Sequence, residues 1–420
     1  MRYWALSGSA YSIASIMFRL NATAFSLWAL ILFFAIANSL GCRNHSSVEH
    51  SSASTQAATA APEIFLPYHP RAGHSRPLIA VVGESRGTEV TDFVIPYGVL
   101  SQSGQADVIA VGIESGPIQM HNGLKFQPQA TIAEFDRRSP EGADYVIVPA
   151  VVDPSDTTLA NWVRAQAGKG AITVGVCDGV WVLADAGMLK GHRATGHWHS
   201  LDALARKSPD TTWVRNRRYV VDGPIVTTTG VTASIPVSLA LVQAIGGIDL
   251  ATRVAGELGV QGWSSAHDSN QFGFSTRIKL TAARNIAFFW SHEDVGIPVT
   301  SGVDEIALAL TADVYSRTMR TRVLTVSESG GPIRTRRSLM LIPDLTQESR
   351  PPARMLHPPD STRPVQALDQ ALSGVATAYG QPTADFINEQ METETAGRDS
   401  GQHQAGAEAA SNKGLGLTQR

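Results

Sequence analysis

The stretch Ala171-Ile172-Thr173-Val174-Gly175-Val176-Cys177-Asp178-Gly179-Val180-Trp181-Val182-Leu183 decides how this chain folds. A β-branched apolar run leads into Gly-Val-Cys-Asp-Gly, and a helical apolar period follows it. Strand, sharp turn, helix is the order this predicts. Small residues on either side of the turn let a strained central residue stand above the sheet edge, beside the unpaired N–H groups of the new helix. That residue is a cysteine, and the positive end of a helix favours its thiolate, the reactive form. The same position also suits a small buried hydrophobe, which free cysteine often is.

Outward from the elbow, short β-branched runs at 78–82, 108–112, 145–149 and 172–176 alternate with helical periods at 90–102, 157–167 and 180–186. A last helix is expected at 237–245, just after Pro236. This alternation predicts an α/β fold, a flavodoxin-like sandwich whose parallel sheet is covered on both faces. Net charge is −3 and charged residues make up 17% of the 420, so there is no basic footprint for nucleic acid.

Val174 to Trp198 (VGVCDGVWVLADAGMLKGHRATGHW) and Tyr219 to Gly247 (YVVDGPIVTTTGVTASIPVSLALVQAIGG) resemble the ThiJ/PfpI superfamily, the class I glutamine amidotransferase-like fold. The pattern is most similar to isocyanide hydratases and to the sensor domain of AraC-type regulators. The resemblance implies a domain over 77–247, Cys177 as the reactive residue, and a protonated carboxyl beside it. Asp92, in Thr91-Asp92-Phe93-Val94-Ile95-Pro96, matches the acid position, with Glu84 and Glu89 as nearby rivals. A carboxyl in an apolar pocket facing a thiolate has its pKa raised and can donate a proton. Asp92 equally suits the first turn of a helix, where it complements the dipole.

The chain departs from that pattern in three places. Asp178 follows the cysteine where many relatives have histidine, and the Thr211-Thr212-Trp213 region supplies none either. Pro149-Ala150-Val151 stands where many have Pro-Gly-Gly, so Ala150 narrows the backbone site expected for an oxyanion. Asp178 also puts a negative charge next to the thiol and should raise its pKa. The remaining pocket candidates are Gly179, His197, Thr228, Thr229 and Gly230, at strand ends where open α/β sheets bind ligands. His192, His197 and His199 lack the further donors of a metal site, so no metal and no cofactor are expected.

Residues 24–37 (AFSLWALILFFAIA) are apolar over a signal-peptide length, and Ser39-Leu40-Gly41-Cys42 resembles a bacterial lipoprotein cleavage box. The expectation is a leader over 1–42, lipidated at Cys42, or an uncleaved membrane anchor, followed by a flexible tether over 43–76. A partial internal repeat lies beyond the domain. Residues 87–128 and 302–343 align without a gap, sharing Gly116-Pro117-Ile118 with Gly331-Pro332-Ile333, and Ala307 stands in the place of Asp92. This predicts a helical linker and truncated repeat over 248–345, without chemistry of its own. A helical hairpin broken at Pro382 and a disordered tail are expected over 346–420.

The expected protein is thus an envelope-tethered domain that binds a small molecule at a cysteine elbow, in a ligand-sensing or redox-sensing, regulatory role in which the pocket takes a ligand or reports oxidation of Cys177. The alternative is a cysteine-dependent hydratase or lyase acting on an isocyanide or 2-oxoaldehyde, with backbone N–H groups near Asp178 and Ala150 as the oxyanion site. The membrane is an expected partner through the N-terminus, nucleic acid is not, and a homodimer is left open.

Overall fold

The computed structural model describes residues 62–71, 74–121, 123–359 and 362–393. The expected leader with Cys42, residues 43–61 of the expected tether and the tail from 394 onward lie outside the described residues.

Strand β1 (Leu78–Gly83) leads to helix α1 (Val90–Gln102) and strand β2 (Asp107–Gly112), and a hairpin of β3 (Ile118–Gln119) and β4 (Lys125–Gln127) follows. Next come β5 (Ala130–Thr131), α2 (Ile132–Arg138), β6 (Tyr145–Val148), α3 (Thr157–Gly168) and β7 (Ile172–Gly175). Past the elbow lie α4 (Val180–Asp185), β8 (Arg193–Ala194), α5 (Leu201–Lys207), β9 (Thr212–Trp213), β10 (Tyr219–Asp222) and β11 (Ile225–Thr228). The main sheet runs β10-β11-β7-β6-β1-β2-β5 and is parallel except for β10. Its central strands are buried on both faces: Ile79, Ala80, Val81 and Val82 of β1 are all inaccessible, as a near-continuous apolar run in a covered parallel sheet should be.

Helix α6 (Ser234–Leu258) is long and apolar enough to cross a membrane by length and composition. Here that face has a different use, since Val237, Leu239, Leu241 and Val254 are buried in the core where α6 packs on α1. Gly247, at φ 86°, kinks the helix where the sequence suggested two separate ones.

The second half repeats the first. After α7 (Thr276–Ala287), β12 (Glu293–Pro298), α8 (Glu305–Ser316) and β13 (Thr321–Ser327) are followed by a hairpin of β14 (Ile333–Arg334) and β15 (Met340–Leu341), then β16 (Leu345–Thr346) and β17 (Arg354–Met355). The sheet order β16-β13-β12-β17 mirrors β5-β2-β1-β6. Pairings coincide after a constant displacement of 215 residues. Ile118↔Phe126 becomes Ile333↔Leu341, and Val111↔Ala130 becomes Val326↔Leu345. Even a clamp is copied: Gln129 Oε1 accepts from the Ala110 N–H at 2.7 Å, as Asp344 Oδ2 accepts from the Thr325 N–H at 2.9 Å. The repeat therefore reaches beyond 302–343, back to β12 and forward to β16.

The two copies face one another. Helix α8 packs against α1, and β4 pairs antiparallel with β15 so that Phe126 lies opposite Leu341, its own counterpart. A residue paired with its own equivalent marks a two-fold relation.

Helices α9 (Ala367–Tyr379) and α10 (Gln381–Met391) close the described chain. Their break is at Gly380, φ 89°, and Pro382 sits inside the first turn of α10, where its missing N–H costs nothing. The expected tether also needs correction at its end. Phe65 is buried against Tyr219, the Tyr68 N–H donates to Ala244 O at 2.8 Å, and Arg71 donates to the carbonyls of Ala143 and Lys169. Aromatic rings and a guanidinium give 62–71 the apolar area and hydrogen bonds that the Ser/Ala-rich stretch before it lacks.

Candidate functional site

Cys177 has φ 54°, the left-handed conformation that a side chain disfavours by about 1–2 kcal/mol. The turn is held by its surroundings. The Cys177 N–H donates to Thr228 Oγ1 at 3.0 Å, and a 3₁₀ turn over Cys177–Gly179 leads into α4. Gly179 is required for close approach: a Cβ there would lie 2.0 Å from Val148 O at the end of β6. Thr228 Oγ1 in turn donates to Thr229 O, so the β11 end and the elbow form one hydrogen-bonded unit.

Asp92 lies in the first turn of α1 and is fully buried. Its Oδ2 accepts the Ala150 N–H at 3.2 Å, while Oδ1 has no hydrogen-bond partner among the described residues. Glu89 caps the helix: its Oε2 accepts from the Asp92 N–H at 2.6 Å and from Thr91 Oγ1 at 2.9 Å. Glu84, the other rival, is turned away and paired with Arg86 at 2.6 Å.

Burial pushes the Asp92 carboxyl well above the usual carboxylate range, and the nearby Glu89 pushes the same way. The Cys177 thiol is likewise raised well above its ordinary value, by burial first and then by Asp92, Asp178 and Glu89. Burial and the neighbouring acids outweigh the helix end, in the direction expected from Asp178. The oxyanion expectation at Ala150 is corrected. Its N–H is already given to Asp92.

His197, Thr229 and Gly230 stand at the far rim, under the C-terminal segment. Glu392 Oε2 pairs with His267 Nε2 at 2.8 Å and Oε1 accepts from the Trp198 N–H at 3.1 Å. His197 Nε2 meets Gln390 O at 3.1 Å, and a Cβ on Gly230 would lie 2.8 Å from the Glu392 carboxyl carbon. His192 is paired elsewhere, with Asp222 at 2.8 Å, and His199 packs on Trp198 and Phe274. Sequence reasoning missed Arg317, whose Nη2 reaches Glu89 Oε1 at 2.9 Å and whose Nε reaches Asp313 Oδ1 at 2.8 Å. It missed His121 as well, which burial and Arg317 hold below the ordinary histidine value. Arg317 falls at the repeat position matching Gln102, where the two copies differ and no signal marks it.

Residues 79–244 match the DJ-1/PfpI family. The chain is 32% identical over 167 residues to the isonitrile hydratase of Pseudomonas putida, covering 39% of this chain and 70% of that one. It is 31% identical over 145 residues to the HTH-type transcriptional regulator CdhR of Pseudomonas aeruginosa, covering 34% of this chain and 41% of the regulator, less than half of its length. A crystal structure of a ThiJ/PfpI family protein from Pseudomonas syringae superposes with a TM-score of 0.40 at 24% identity, over 45% of this chain and 76% of that one. With a parallel α/β sheet, a cysteine elbow and this extent of identity, the chain belongs to the DJ-1/PfpI family.

Proposed function

We propose that this chain carries a sensing domain that binds a small electrophilic or hydrogen-bonding molecule at Cys177. The observation that carries the reading is the state of the thiol: buried at 6% exposure, raised in pKa, and enclosed by acidic groups. A turnover nucleophile needs thiolate and access, and a peroxide sensor needs both even more. A buried thiol and a buried carboxyl, both with raised pKa, suit a site read out by ligand occupancy. Relatives named as transcriptional regulators support the same reading, although they are matched over less than half of their length.

A second reading rests on the uncommitted Oδ1 of Asp92 and on the likeness to an isonitrile hydratase. In it, the Cys177 sulfur attacks the terminal carbon of an isocyanide while Asp92 gives its proton to that carbon and takes up the thiol proton, leaving a thioimidate and a protonated Asp92. Water then adds across the thioimidate, its hydroxyl to carbon and its proton to nitrogen, and as the C–S bond breaks the hydroxyl proton passes to sulfur, so that an N-substituted formamide leaves and the thiol is restored.

One experiment separates the two. The purified chain and its Cys177→Ser variant are incubated with alkyl isocyanides and with methylglyoxal, following product by mass spectrometry and ligand binding by thermal shift. The sensing reading expects a Cys177-dependent thermal shift without product. Cys177-dependent formamide or lactate would replace it with the enzyme reading, and neither shift nor product would remove both.

We further propose that the apolar run 24–37 and Cys42 tether the domain to a membrane. Cys42→Ala should leave a heavier, unprocessed precursor. Unchanged mobility and fractionation would favour an uncleaved anchor.

A further inference from the structure

The two ends of the α1/α8 seam are built alike and charged differently. The helices run antiparallel, so the start of α1 meets the end of α8 and the reverse holds at the other end. At the start of α1, Glu89 meets Arg317. At the symmetric place, Asp304 at the start of α8 faces Gln102 at the end of α1, and Arg337 from the β14–β15 turn bridges them, 2.9 Å from Asp304 Oδ2 and 2.8 Å from Gln102 Oε1. Arg317 and Gln102 occupy equivalent positions, as do Asp313 and Gly98. Only the end that carries Asp92 and Cys177 receives an arginine and a carboxylate from the helix end opposite.

We propose that the second repeat acts as a built-in partner of the first, seated on the face of α1, and that it completes the Cys177 site with Arg317 and Asp313 as positioning residues that act on Asp92 through Glu89. The path is continuous. Asp313 orients the Arg317 guanidinium, the guanidinium holds the Glu89 Oε1, and Glu89 Oε2 holds the N–H of Asp92. The groups that act on Asp92 are Glu89 on its own helix, Cys177 on the elbow, and Arg317 and Asp313 on α8, with Asp178 acting on Cys177 and His121 of the β3–β4 turn beside Glu89 and Arg317. Arg317 opposes the rise at Asp92 and Cys177 alike, and Asp313 adds to it at Asp92. The repeat thus carries a paired charge whose two members pull the acid in opposite directions. This inference builds on Cys177 and Asp92 forming one site, as the proposed function holds, but does not need either ligand or turnover.

The test reads the Asp92 carboxyl directly in the full chain, by the pH dependence of its ¹³Cγ chemical shift, assigned with Asp92→Asn. Arg317→Gln installs the residue found at the equivalent position and should move the midpoint up by about one pH unit, a tenfold change in proton affinity. Asp313→Asn, close to isosteric, should move it down. Gln102→Ala, at the symmetric place, should leave it unmoved. Equal midpoints for Arg317→Gln and Gln102→Ala would overturn the proposal. Should Arg317→Gln fail to fold, Asp313→Asn decides alone, and a midpoint that stays or rises overturns it. Because no labelling or turnover is read, a failure of the sensing reading would leave this outcome intact.

Discussion

The halves of the molecule around α1 and α8 share a backbone plan and differ in a few buried side chains. In the first, Asp92 and Glu89 sit at the helix start and the sheet goes on to Cys177. In the second, Ala307 replaces Asp92 and Asp304 with Glu305 is neutralised by Arg337 at 2.9 and 3.2 Å. The same fold unit therefore serves chemistry at one end of a seam and cohesion at the other. What distinguishes the ends is whether the buried acid is fully paired. Arg337 leaves its carboxylates satisfied, whereas Asp92 keeps one oxygen without a partner.

If the far end is purely cohesive, breaking it should cost the most. Arg337→Met leaves buried Glu305 without its cation and buried Asp304 with only the more distant Arg336 at 3.5 Å, and should destabilise the chain by about 3–5 kcal/mol in urea unfolding. An unchanged midpoint would mean that the two ends are not so divided.

The C-terminal segment covers the rim at His197, Trp198 and Gly230, and Glu392 measures how firmly. His267 and the Trp198 N–H hold its carboxyl down to about 2 against burial, from an ordinary 4.5. The folded pKa is depressed, so the stabilisation is present above pH 4.5 and is lost as pH falls toward 2. Glu392→Gln should cost on the order of 3 kcal/mol at neutral pH and show little difference from wild type near pH 2 in thermal unfolding followed across pH.

A smaller effect is expected beside the same far end of the seam. A Cβ at Gly98 would stand 2.7 Å from Ile306 Cγ1, so Gly98→Ala should overpack the contact and cost about 1–3 kcal/mol. A neutral or stabilising result would show that the seam yields easily.

The least of these is a slope. The Asp92 pKa is raised on folding, so with rising pH the unfolded chain gives up this proton first, from an ordinary 3.8 upward, and stability falls until the folded carboxyl also ionises. Asp92→Asn should remove that fall while keeping the Ala150 hydrogen bond. A slope that persists would assign it to other groups.

Much of this was legible in the sequence. The Gly175 to Gly179 turn, the place of Asp92 and the alternation of strands carry local signals, because apolar period and small residues report on the chain next to them. The repeat was legible through its landmarks, but Arg317 was not, since at that position the copies differ and an arginine carries no mark of what it will face. The part that burial plays in raising the thiol was also hidden, beyond the push expected from Asp178. Charge at a helix end or on a neighbour such as Asp178 can be read from order along the chain, whereas the burial of Cys177 depends on packing around the elbow in three dimensions. The docking of 62–71 escaped for a related reason, as Phe65 and Tyr68 sit next to a stretch whose composition argues for no structure.

A partner joined through the backbone changes when and where the site can exist. Two separate chains must meet, and dilution parts them again. Here Arg317 is made 140 residues after Cys177. At about 5–20 residues per second, that is a wait of about 7–28 s during synthesis. The elbow can therefore form before its opposing charge, and its completion is timed by translation instead of by the abundance of the protein.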